Sequence, residues 1–90
     1  MIAKKAKYKV AAFYKFLSIL DKDILLIKEE LSKFAKNKEI KGTILLASEG
    51  VNGTVCGTAD SISKFIELLK QLLKISDINV KYSWSERQAF

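Results

Sequence analysis

A chain that performs chemistry unaided needs a nucleophile, a base or a cluster of metal ligands, and this sequence offers little of each. It contains no histidine, which removes the commonest general base and metal ligand. Cys56 is the single cysteine, so neither an internal disulfide nor a zinc cluster can form within the chain. No activating base or cation stands at close spacing to it, and a lone cysteine of this kind reads as a small buried hydrophobe. The acids form no convincing catalytic pair. Asp21 and Asp23 suit the start of a helix, Asp21 as its N-cap. Glu29 and Glu30 suit solvent or pairing with Lys33 and its neighbours. The expectation is a domain with no catalytic residue, no metal and no cofactor of its own.

Two features could instead bind a partner. The first is residues 45–55, LLASEGVNGTV, where two turn dipeptides, Glu49-Gly50 and Asn52-Gly53, stand between apolar runs. Small residues let backbone N–H groups approach a phosphate, and Ser48, Glu49, Asn52 and Thr54 could add polar contacts. No helix follows directly, so this is no P-loop. A structural reading also fits: Glu49-Gly50 forms the turn of a hairpin, and Gly53 marks a bulge that aims Asn52 and Thr54 outward.

The second feature is charge. Residues 1–41 hold eleven lysines against five acids, whereas residues 42–90 hold five basic and five acidic groups, so the whole formal excess of +6 lies in the first half. A one-sided basic surface attracts polyanions, nucleic acid first among them. A solvated, solubilising face is the plainer alternative. One cysteine, no signal-type apolar stretch and no run of the ~18 apolar residues that a membrane helix needs suggest a cytoplasmic domain without membrane contact.

The elements that would hold these residues follow from periodicity. Residues 1–90 read as one small domain with the order β-α-β-β-α-β. Tyr8–Phe16 alternates, with Tyr8, Val10, Ala12, Tyr14 and Phe16 on the face expected to be buried and Lys9, Ala11, Phe13 and Lys15 on the other. A helix beginning at Asp21 carries Leu20, Ile24, Ile27, Leu31, Phe34 and Ala35 on one stripe and fades near Asn37, while Leu26 falls on its polar side. Thr43–Ala47 and Val51–Cys56 form the hairpin. Thr58 or Asp60 opens a second helix with Ile62, Phe65, Ile66, Leu69, Leu72 and Leu73 inward. Ile78–Trp84 alternates again, with Ile78, Val80, Tyr82 and Trp84 inward. This order predicts an α+β, ferredoxin-like βαββαβ sandwich, a four-stranded antiparallel sheet with both helices on one face. The uncovered face is expected to present Lys9, Phe13, Lys15 and Lys81. Exposed aromatics on such a sheet stack bases and lysines hold phosphates, although the RNA-recognition-motif consensus is absent.

Three segments, YKVAAFYKFLSI, IKGTILLASEGVNGTVCGT and KYSWSERQAF, resemble the N-terminal domain of the rhodanese-like tRNA uridine hydroxylase family, once catalogued only as an uncharacterised family with a rhodanese domain. The similarity spans essentially the whole chain, and GTILLASEGVNGT is its most specific part. The resemblance implies an acylphosphatase-like ferredoxin fold preceding a rhodanese domain, in a protein implicated in oxygen-dependent 5-hydroxylation of the tRNA wobble uridine. The family's catalytic cysteine belongs to the rhodanese loop, which Cys56 does not match. That domain is expected C-terminal to this chain, making the chain a piece of a longer protein.

Acylphosphatases place a glycine-containing phosphate loop and an arginine after the first strand. The corresponding KFLSILDKD has neither, which argues against acylphosphatase activity. The resemblance thus implies an accessory domain that helps to bind or position tRNA. Lys9, Lys15, Lys33, Lys36 and Lys81 are the candidate phosphate contacts and Phe13 the candidate stacking residue. Ser48, Glu49, Asn52, Gly53 and Thr54 are candidates for a local contact with RNA or with the rhodanese domain. In the alternative, the domain is a docking module that packs on the rhodanese domain without touching RNA.

Overall fold

The computed structural model describes residues 8–86; Lys4, Lys5 and Lys7, part of the basic N-terminal segment, lie outside them. The elements are β1 (Tyr8–Phe16), α1 (Asp21–Asn37), β2 (Lys41–Ala47), β3 (Gly50–Gly57), α2 (Ala59–Leu73) and β4 (Asn79–Ser85). The four strands form one sheet in the order β2-β3-β1-β4, with every neighbouring pair antiparallel. Both helices cover one face. This is the expected ferredoxin-like sandwich.

The helices turn the stripes that their sequences encode toward the sheet, with Ile24, Phe34, Ala35 and Leu72 only partly buried. Ile27 and Leu31 of α1 and Ile62, Phe65, Ile66, Leu69 and Leu73 of α2 are buried. Leu20 is not; it is the N-cap residue of α1 and stays exposed, while Ile19 just before it enters the core. Asp21 is therefore the first residue of α1 rather than its cap, and no side chain caps that helix. Its charge still lies at the favourable end of the helix dipole. Thr58 caps α2 as its type predicts, its Oγ1 accepting the Ser61 N–H at 3.2 Å, an interaction worth about 1 kcal/mol.

The faces of β1 are the reverse of the expected ones. Ala11 and Phe13 are buried and Ala12, Tyr14 and Phe16 are exposed. The Phe13 and Phe65 ring centroids lie 6.3 Å apart, so Phe13 belongs to the core. The two lysines of its row misled the alternation because they sit at the strand's ends. Lys9 lies across Tyr82 and Lys15 pairs with Asp77 at 3.1 Å, so both stems pack while the ammonium groups leave the core.

The hairpin also differs in detail. Ala47 pairs with Gly50, so the two-residue loop is Ser48-Glu49 and Gly50 is already in the strand. Its φ of +151° suits glycine. Gly53 makes no bulge, because the register runs unbroken past it on both sides. A Cβ there would meet the Thr43 carbonyl oxygen, the Ile44 Cα and the Cζ of Phe13. The second glycine of the motif is thus a space for the Phe13 ring in a central strand, where close approach is the usual reason for glycine. Cys56 forms no disulfide and is fully buried, as a small hydrophobe should be.

Candidate nucleic-acid interface

The uncovered sheet face is built from rows fixed by the register. Val10, Lys41 and Ser83 form one row around Cys56, which is fully buried, so that row is closed at its centre; Ala12, Thr54, Thr43 and Lys81 form the next. Tyr14, Asn52, Leu45 and Asn79 follow, and Phe16, Gly50 and Ala47 end the face at the hairpin. A shallow groove at its centre is lined by Tyr14, Asn52, Thr54, Asn79 and Lys81, among others. The face changes character along its length. Lys41, Lys81 and Ser83 stand toward one end, and Tyr14, Phe16 and Leu45 toward the hairpin, where Phe16 is 82% exposed.

The charged residues within the four strands are Lys9, Lys15, Lys41 and Lys81, with no aspartate or glutamate among them. The described acids sit in helices and connections, so the sheet offers a polyanion no internal repulsion.

The structure divides the candidate residues into groups. Asn52, Thr54 and Lys81 share the open face. Phe13 is 3% exposed and cannot stack a base, and Gly53 lies beneath its ring. Lys9 and Lys15 belong to the helix side, not to the open face. Lys33 and Lys36 are exposed on α1, across the sandwich from Lys81, and Lys33 Nζ stands 4.0 Å from Glu30. No single flat surface gathers all five lysines. Lys41, Tyr14 and Phe16, not singled out from the sequence, belong to the open face. The signal for Tyr14 and Phe16 was Gly53, whose vacancy identifies the row that must hold the bulky inward ring.

Ser48 and Glu49 are exposed at the hairpin turn, but their carbonyls are occupied. Leu17 N–H donates to the Glu49 carbonyl at 3.2 Å and Ile19 N–H to the Ser48 carbonyl at 2.9 Å. The turn therefore braces the β1–α1 connection. Those two N–H groups of the β1–α1 connection are thereby hydrogen-bonded within the fold. Among the described residues, no three His, Cys, Asp or Glu side chains cluster as metal ligands, and no helix is long and apolar enough to cross a membrane.

Comparison with known proteins agrees with this architecture. The chain is 74% identical over 87 residues to a tRNA uridine(34) hydroxylase of Prochlorococcus marinus strain NATL2A, covering 97% of this chain and 27% of that protein. A tRNA uridine(34) hydroxylase of Teredinibacter turnerae is 42% identical over 83 residues, covering 92% of this chain and 25% of that protein. The chain thus spans about a quarter of the length of these relatives. Among solved structures, the de novo designed protein Ferredog-Diesel superposes with a TM-score of 0.55 at 13% identity, covering 92% of this chain and 90% of the design; the likeness is one of fold. Residues 8–90 match the UPF0176 acylphosphatase-like domain, and the chain belongs to that family.

Proposed function

We propose that this domain helps to bind and position tRNA for a uridine hydroxylase whose chemistry resides in the remainder of a longer polypeptide, a rhodanese domain C-terminal to it. The observation that carries this reading is the acid-free sheet, with Lys81 in the row of Thr54, Asn52 in the row beyond it and Lys41 in the row before it. The names of the relatives supply the substrate class. Lysines of this kind hold phosphates, and hydroxyl and amide side chains fix the backbone's orientation. Reaction with oxygen is assigned to the other part of the protein, and the domain's own task is affinity and placement. The setting is cytoplasmic, where tRNA is modified.

The test is tRNA binding by the chain and by its Lys41→Glu, Lys81→Glu double variant. Removing two phosphate contacts should weaken binding about tenfold or more at low salt and reduce the slope of log affinity against log salt by roughly 2. Absence of tRNA affinity at low salt, or an unchanged slope in the variant, would contradict the proposal.

A second reading is favoured by the hairpin end of the same face. Tyr14, Phe16 and Leu45 form an exposed apolar patch, the kind of surface that docks another domain. In that reading the patch packs on the rhodanese domain and the lysines only solubilise. The two readings occupy different ends of the face and are separable by substitution.

A further inference from the structure

The helix layer does not extend over β4. No α-carbon of either helix comes within 8 Å of one in that strand. Ile78 and Val80 still reach the core, but Tyr82 and Trp84, further along on the same side, remain 45% and 55% exposed. Lys9 stands opposite Trp84 in the register. Its ammonium lies 4.2 Å from the Tyr82 ring centroid and 5.6 Å from that of Trp84, within cation–π range of both. Trp84, the barer ring, keeps most of its surface open beside a fixed positive charge.

This arrangement matches what an unpaired nucleobase requires: an aromatic plane to stack on and a cation for the adjoining phosphate. It is also continuous with the basic end of the open face. Lys81 and Ser83 alternate with Tyr82 and Trp84 along the edge strand, so a nucleic-acid strand crossing that edge meets lysine on one side and the rings on the other. β1 and β4 contain no acid to repel it.

We infer that Trp84, supported by Tyr82 and Lys9, is a stacking site for an unpaired base of RNA. The inference rests on the tRNA-binding reading and adds to it a preference for single-stranded over paired segments.

Trp84 is the chain's sole tryptophan, so its fluorescence reports the site directly. The chain is titrated with a mixed-sequence single-stranded RNA of about eight nucleotides and with the same sequence as a duplex. Binding is followed by anisotropy of labelled RNA and by Trp84 emission. The single strand should quench Trp84 saturably and bind more tightly than the duplex. Trp84→Ala should weaken single-strand binding on the order of 5- to 100-fold, and Trp84→Phe should restore part of it. RNA that binds without changing Trp84 emission, and binds Trp84→Ala as it binds the parent, would overturn the inference. If the Lys41→Glu, Lys81→Glu variant still loses affinity in that case, the open-face reading stands alone. Absence of RNA binding overturns both.

Discussion

Two rows of side chains alternate along β1. The inner row is Lys9, Ala11, Phe13 and Lys15; the outer row is Val10, Ala12, Tyr14 and Phe16. The outer row has no charge and the inner row has two, yet the inner row is the one that enters the core. Phe13 and Phe16, three residues apart, are 3% and 82% exposed. The difference shows that apolar content alone does not choose a face. The choice is made by what stands opposite. Gly53 leaves a gap on the inner side of β3, and Phe65 of α2 reaches the ring that fills it. No helix covers the outer row among the described residues, and its aromatics Tyr14 and Phe16 are exposed.

The comparison can be broken most forcefully at Phe13. Phe13→Ala should destabilise the fold by about 3–5 kcal/mol, read as a lower denaturant midpoint; a loss near zero would mean that the rows are assigned backwards. Gly53→Ala should cost less, about 1–3 kcal/mol, because a Cβ meets strand backbone and the Phe13 ring; the same unfolding measurement checks it. Phe16→Ser should leave stability within about 0.5 kcal/mol. If the hairpin end docks the rhodanese domain, this last variant should weaken association of the separated domains in a pull-down while leaving tRNA affinity intact.

Much of the architecture was legible in the residues. Helical stripes at 62, 65, 66, 69 and 73 and the Thr58 cap are local signals, and they translate directly into α2. The element order leads to the antiparallel sandwich with both helices on one face. The handedness of β1 was not legible from alternation, because both rows are largely apolar and its inward lysines sit at the ends, where their stems escape the core. The hairpin motif was misleading for a related reason. Asn52-Gly53 has the composition of a turn, but its glycine serves packing across the sheet, a contact with no local signature. Tyr82 and Trp84 lie on the side of β4 that alternation predicts to be inward, yet both are exposed. Their exposure depends on how far the helix layer extends, which no single element encodes. The candidate site consequently shifted: Asn52, Thr54 and Lys81 stayed together on the open face, Tyr14 and Lys41 joined them, and Phe13 left.

RNA binding on the uncovered side of the sheet is tested most directly by titrating the isotope-labelled chain with a tRNA anticodon stem-loop and mapping amide and side-chain shift changes. The expected changes fall on Asn52, Thr54, Asn79 and Lys81, and the Trp84 indole N–H, across the same edge on the helix side, shifts as well where a base stacks there. Changes confined to the outer surface of α1, around Lys33 and Lys36, or no changes at low salt, would contradict it.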